Sequence, residues 1–466
     1  MPKISKEYKG FSIEILLAAI LSLLLYSSLS FGLIQRTNTY LLFGTFVSLG
    51  LLLLWLMSKK PNLRLIIVLG ILFRIIFIPY LPSLSQDFYR YIWDGVLQLN
   101  NLNPYLFSPT EVLSKVDFPL AQQMHEAMGK LHARNFSNYP PLSQWIYFLS
   151  ANFHNGDLIY PVIVLRIFAF IGEILVFIYG FKILALLGKS PLLIGWFFLN
   201  PLVIIESFGN LHFEALMIGL CLGGFYFAFR NKPLLAGLFF GLSISTKLLP
   251  LLLVPVFLKL FPFKFLIRFL SYCGFFALIT WVPFLNLDLI SNYSQTIKLW
   301  FINFEFNGSL YYLAREVHYL FYDFNILRRI GRYTPYLVVS IVLFCSFLLK
   351  NKTKESVFKS SLLILTLYFF TTTTVHPWYI ISVLALGIPL GYFYTVVWSL
   401  VVMWSYWAYG GERYNENLWI ILLEYLPVYF FFVLEMTYQP LLKNFCFTRI
   451  FYPRKPEQIR ETTSIG

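Results

Sequence analysis

Charge is what this sequence has least of. Aspartate, glutamate, lysine and arginine together make up 12% of the 466 residues, about half the share of an ordinary soluble domain. Hydrophobic residues make up 58% and the mean hydropathy is +0.69. A chain so poor in charge cannot cover itself with polar surface, which excludes a soluble enzyme and leaves lipid as its solvent. Cysteine is scarce too. Cys221, Cys273, Cys345 and Cys446 have no metal-type spacing and read as lipid- or core-facing thiols. A cleavable signal is also lacking: Lys3, Lys6 and Lys9 precede a long apolar stretch without a small-residue cleavage site, so that stretch reads as a first span. No internal repeat stands out, so the sequence gives no direct sign of the inverted halves of many transporters. The net charge of +14 does not point to nucleic acid, because the basic residues form no single patch. They recur in short clusters between apolar runs, as cytoplasmic loops do.

The apolar runs are the dominant positive feature. A spanning helix needs about 20 mostly apolar residues. Candidates are 11–31, 40–57, 63–80, 160–184, 192–208, 211–229, 234–247, 248–260, 265–284, 336–349, 357–372, 378–390, 394–409 and 418–436. The fold class expected is an all-α polytopic membrane protein of about 12–14 spans, forming one integral domain over 1–466. The two short runs meeting at Lys247–Pro250 read as half-helices broken by proline. Basic clusters (Lys59-Lys60 with Arg64, Lys182 with Lys189, Arg230 with Lys232, Lys259 with Lys264, Lys350 to Lys359) fall on one side, read as cytoplasmic. The basic tail 437–466, with Lys443, Arg449, Arg454 and Lys455, joins them, so both termini are expected inside. Two long loops, 81–159 and 285–335, then lie outside. Arg328, Arg329 and Arg332 in the second loop break the positive-inside pattern.

Polar residues collect on that outer side. In "SQDFYRYIWDG", Asp87, Tyr91 and Asp94 stand at i, i+4 and i+7, on one helical face. Arg90 is within helical reach of both acids. The acids are about 10 Å apart along an unbroken helix, at roughly 1.5 Å per residue, so one reacting atom cannot touch both. An interfacial helix with an internal salt bridge explains this spacing as well as a catalytic role does. "NYPPLSQWIYFLSA" puts Tyr139 before two prolines. It reads first as a rigid loop with Trp145 and Tyr147 anchored at the interface. "ESFGNLHFEALMIGL" places Glu206, His212 and Glu214 at a membrane re-entry, suited to hydrogen-bonding a polar substrate and a weak pattern for a metal. Lys247, in "GLSISTKLLPLLLVP", is an ammonium in an apolar context. Such a group either snorkels or meets an anion such as a lipid phosphate. "FNGSLYYL" carries Asn307, and "TTTTVHPWYIIS" sets His376 beside Trp378 and Tyr379.

Taken in order, "DFYRYIWDG…LNPY", "YPP", "HFEAL", "TKLLPLLLVP", "FNGSLYYL" and "HPWY" resemble the polyprenyl-phosphate-mannose-dependent mannosyltransferases of the GT-C superfamily, bacterial alpha-mannosyltransferases above all. The resemblance runs from about Arg74 to Tyr379. The paired-aspartate signature of eukaryotic relatives is not matched: Gln86-Asp87 offers one acid there. The resemblance implies a GT-C fold and a glycosyltransferase. A hexose, mannose by analogy, would pass from a polyprenyl-phosphate donor to a lipid-linked or glycan acceptor. The reaction would be one inverting displacement at the outer face of a bacterial inner membrane. Asp87 suits the base, with His376 as the other candidate and Asp94 not eliminated. Arg90, Tyr91, Asp94, Tyr139, His212, Glu214, Lys247, Asn307, Trp378 and Tyr379 are candidate substrate contacts. Lys247, Arg328, Arg329 and Arg332 are candidate phosphate partners. No metal, cofactor or nucleic acid is expected, and the partners are donor, acceptor and membrane lipid. A secondary transporter, with Arg74, Arg166 and Glu173 as a pathway, is the rival reading, and a lipid-linked glycan polymerase or ligase is another.

Overall fold

The computed structural model describes residues 13–302, 304–411 and 414–437, and the basic tail, the N-terminal lysines and Cys446 lie outside them. Among the described residues the chain is helical throughout. Its one β pairing is an isolated bridge between Phe306 and Thr374. The all-α polytopic class expected from composition is the class observed.

Five helices are long and apolar enough to cross a membrane: Ile13–Ser30, Thr39–Ser58, Ile159–Leu186, Leu327–Leu348 and Leu418–Thr437. A sixth span arises if the bent pair Pro191–Phe198 and Val203–Gly209 counts as one. The other apolar runs fold as shorter helices, among them Glu214–Phe229, Pro233–Thr246, Leu249–Lys259 and Pro377–Leu390. Proline is the physical reason for much of this shortening, since it removes a backbone donor and pushes the residue before it out of helical conformation. Pro201 breaks the first pair, which bends by 63°. Lys247, ahead of Leu248-Leu249-Pro250, is extended at φ −151° and ψ 146° between two helical segments, as the half-helix reading expected. Pro335, by contrast, is tolerated inside Leu327–Leu343. That helix therefore starts nine residues before the expected span, and Arg328, Arg329 and Arg332 ride on its first turns.

The segment expected as a first outer loop is itself folded. Helices Asp87–Leu99 and Pro141–Ala151 pack on each other with three short helical turns between them. Their apolar faces share a core with Ile159–Leu186 and Glu214–Phe229: Phe88, Ile92, Trp93, Tyr147, Leu165, Phe213 and Leu216 are all buried. The approach depends on Gly95. A β-carbon there would stand 2.1 Å from the Tyr147 carbonyl oxygen and 2.7 Å from Cβ of Ala151. Gly95→Ala is therefore expected to destabilise the protein by about 1–3 kcal/mol, the usual range for overpacking. The measurement is the unfolding midpoint in detergent, and an unchanged midpoint would contradict this packing.

Buried charge inside the helical body is tied down. Arg74 and Glu173 form an ion pair, and Arg74 also donates to the carbonyls of Gly70 (2.7 Å) and Phe198 (3.0 Å). Arg166 donates to the carbonyls of Ile78 (3.0 Å), Phe208 (3.3 Å) and Gly209 (3.4 Å). These groups bolt backbone segments together, which is a structural use of charge in an apolar interior.

Candidate active site

The site begins where the chain turns into Asp87–Leu99. The Asp87 backbone N–H donates to Ser85 Oγ at 3.2 Å, and Asp87 sits in the first helical turn, where the helix dipole favours a carboxylate. Its side chain is 18% exposed and meets two histidines. His132 Nε2 is 3.3 Å from Oδ1, and His212 Nε2 is 3.6 Å from Oδ2. Burial on its own would raise the Asp87 carboxyl. Hydrogen bonding and charge from the two histidines outweigh burial and hold it well below the usual carboxylate range.

His212 is itself held from behind. Its Nδ1 lies 3.0 Å from Oε2 of the fully buried Glu206, whose other oxygen accepts from Tyr406 Oη at 2.8 Å. Burial acts to lower His212. The hydrogen bonds and charges of Asp87 and Glu206 reverse that and push it up to about 9. One face of its ring stacks on Trp378, centroids 3.7 Å apart and planes 16° apart. Trp378 stacks in turn on His376 at 4.4 Å and 7°. His376 continues the column onto Phe306 at 4.8 Å. An aromatic face beside a cationic ring is favourable. For His376, burial comes first and pushes its pKa down to about 3, the charge of Asp87 acting the other way.

A cavity of about 670 Å³ opens beside these groups. Asp87, Tyr91, His132, Tyr139, Glu214, Lys247, His376, Trp378 and Tyr379 line it. Lys247 and Glu214 form an ion pair within it. One side of the wall is apolar and comes from Leu249, Leu252, Val338, Val339 and Phe369. Val338 and Val339 belong to the candidate span Leu327–Leu348, so part of the apolar wall is built from a helix long and apolar enough to cross a membrane. The volume is that of an ordinary small-molecule site. Among the described residues no group of three His, Cys, Asp or Glu is arranged to hold a metal ion.

The structure separates the remaining candidates from this cavity. Arg90 and Asp94 pair at 2.6 Å and are buried. Asp94 also accepts from Gln144 Nε2 at 2.8 Å, and Arg90 donates to the carbonyls of His132 and Asn135. Their place is therefore behind the site, where they fix the segment carrying His132. Asn307 is buried, donating to Glu424 at 2.8 Å; its neighbour Phe306 is the residue that lines the cavity. Arg328, Arg329 and Arg332 do not line it. Two cavity residues with charged or imidazole side chains, His132 and Arg36, were not singled out from the sequence. His132 lies in the short helical turn Gly129–Ala133. Arg36 follows the first helix, donates to the Leu84 carbonyl at 3.2 Å and lies 3.9 Å over the Tyr409 ring. A histidine in a chain with only six of them was the one available signal for His132.

A multi-pass helical membrane protein with an acid–imidazole cluster at an amphiphilic cavity is the class so defined. Residues 16–262, more than half of the chain, match the profile described as "Alpha-(1->6)-mannopyranosyltransferase, N-terminal domain", and the chain belongs to that mannosyltransferase family, of the GT-C type. It is 24% identical over 179 residues to "Alpha-(1->6)-mannopyranosyltransferase A" of Corynebacterium glutamicum, a match covering 37% of this chain and about a third (34%) of the relative. Asp87, His132, Glu206, His212 and Lys247 fall inside the family match; Phe306, His376 and Trp378 lie beyond it.

Proposed function

We propose that this protein is a glycosyltransferase that moves mannose from a polyprenyl-phosphate donor to a hydroxyl of a lipid-linked or glycan acceptor. In this reading the site faces the outer side of a bacterial inner membrane, with segments 81–159 and 285–335 outside and both termini inside. The observation that carries it is one cavity joining the Asp87 carboxylate and the Lys247 ammonium to an apolar wall built in part from the candidate span Leu327–Leu348. A lipid-linked sugar needs both halves: polar groups for sugar and phosphate, and an apolar flank for the first isoprene units.

The residues support one inverting displacement. The acceptor oxygen bonds to the anomeric carbon as the carbon–oxygen bond to the lipid phosphate breaks. The acceptor proton passes to Asp87, and the bonding pair leaves on the phosphate. Asp87 does not need a high pKa, because the hydroxyl becomes acidic as its oxygen bonds to carbon. The Lys247 ammonium and the Arg36 guanidinium supply positive charge for the departing phosphate.

The direct test supplies purified protein with polyprenyl-phosphate-mannose and an acceptor. Mannosylated product and free polyprenyl phosphate should appear in equal amounts; efficient transfer from a nucleotide sugar instead would overturn the reading. Lys247→Met, tested with Glu214→Gln so that no lone carboxylate is left, should raise the KM for donor by about 10- to 150-fold, the equivalent of one charged hydrogen bond of roughly 1.5–3 kcal/mol. An unchanged KM would remove Lys247 from the donor site.

A further inference from the structure

Glu206 neither lines the cavity nor reaches Asp87, yet the local fold is distorted around it. Val203–Gly209, its own segment, is a π-helical turn at the end of the bent pair, and such turns recur at functional sites. The next residues are unusual as well. Leu211 is a buried non-glycine residue in the left-handed region, at φ +68°, a conformation that crowds the β-carbon against the following carbonyl. The His212 backbone N–H donates to the Glu206 carbonyl at 3.0 Å, and Arg166 gathers the carbonyls of Phe208 and Gly209. Asn210 Nδ2 donates to Glu206 at 3.2 Å. Strain of this kind is held in place by its surroundings and concentrates where geometry matters. Its result here is that the imidazole of His212 points Nδ1 at Glu206 and Nε2 at Asp87.

We propose that Glu206 is a positioning residue for the transfer reaction: it orients His212 and keeps it cationic beside Asp87, so that Asp87 stays ionised and aimed into the cavity. This inference rests on Asp87 being the base. The groups facing His212 are Asp87 from Asp87–Leu99, Glu206 from its own approach, and His376 across the Trp378 ring. Beyond them stand His132, on the other oxygen of Asp87, and Tyr406, on the other oxygen of Glu206. The Glu206 carboxylate is thus the anion that compensates an imidazolium already shared with Asp87. Removing its charge returns His212 toward the ordinary histidine value of about 6.5 and weakens the hold on Asp87.

The test is the pH profile of kcat/KM for the full-length protein with polyprenyl-phosphate-mannose as donor. In the wild type the high-pH limb should lie near 9, where His212 loses its proton. In Glu206→Gln that limb should move down by about one pH unit or more, while the low-pH limb stays in place, because His212 is still protonated where Asp87 titrates. The active window therefore narrows from its high-pH side alone, with donor KM unchanged. A second measurement guards against a purely structural effect. If Glu206 acts through His212, the double variant Glu206→Gln/His212→Asn loses no more activity than His212→Asn alone, whereas independent damage adds. An unmoved high-pH limb, or additive losses, overturn the proposal. Asp87→Asn is assayed alongside: wild-type transfer there sinks the base assignment itself, while an inactive Asp87→Asn with an unmoved Glu206→Gln profile sinks only the role of Glu206.

Discussion

Asp87→Asn is expected to cut sugar transfer by about 10²–10⁴-fold, the range for loss of a positioned general base. Asparagine keeps the shape of the side chain and leaves the backbone bond to Ser85 intact, so the helix start should survive. What it loses is the negative charge held between His132 and His212 and the oxygen that takes the acceptor proton. The loss should fall on kcat, because the change removes an interaction made in the transition state. His376→Gln sets the comparison. Its imidazole is stacked between Trp378 and Phe306 and, being pushed down to about 3, stays neutral over the working pH range. Its loss should cost less than that of Asp87. Steady-state kinetics on both variants decide the matter: near-wild-type kcat for Asp87→Asn with collapse of His376→Gln would transfer the base to His376.

The second large effect concerns stability. Arg90→Met is expected to cost about 3–5 kcal/mol, because it strands the buried Asp94 carboxylate without its cation. It also removes the two bonds that tie the carbonyls of His132 and Asn135 to Asp87–Leu99. Replacing both partners by apolar residues should be much milder. Arg90→Met/Asp94→Leu no longer buries a lone charge, and apolar substitutes for a whole buried pair are often close to neutral. Thermal unfolding in detergent separates the cases: a large drop in midpoint for the single variant and substantial recovery in the double. A single variant as stable as the wild type would mean that the pair carries no structural weight.

The helix bearing Asp87 and Asp94 was legible because its polar residues recur at helical spacing. The spacing could not say which acid Arg90 would choose. In the fold Arg90 pairs with Asp94, which also accepts from Gln144 fifty residues later, while His132 and His212 meet Asp87. Membrane character was plain from composition, but the number of full spans was not. Proline announced the break at Lys247–Pro250, but apolar composition alone does not say that Pro201 will bend a run, nor that Pro335 will be carried inside one. His132 and Arg36 were silent for the same reason. Each stands alone in its own segment and becomes meaningful only when the fold brings it to Asp87 or to the cavity. Glu206 stood out in the sequence as an acid at a membrane edge, yet its contact with Tyr406, two hundred residues on, was not inferable from spacing.

The ring column His212–Trp378–His376–Phe306 brings distant stretches of the chain together. The carboxylate that would accept the proton belongs to the stretch matched to the family's N-terminal domain, and most of the stacked column lies after it. The proposed reaction centre and part of the wall around it therefore come from separate stretches. Substitutions after residue 262 can reshape what fits against the wall and leave the acid and its histidines in place, so one chemistry can be inherited while its clientele drifts.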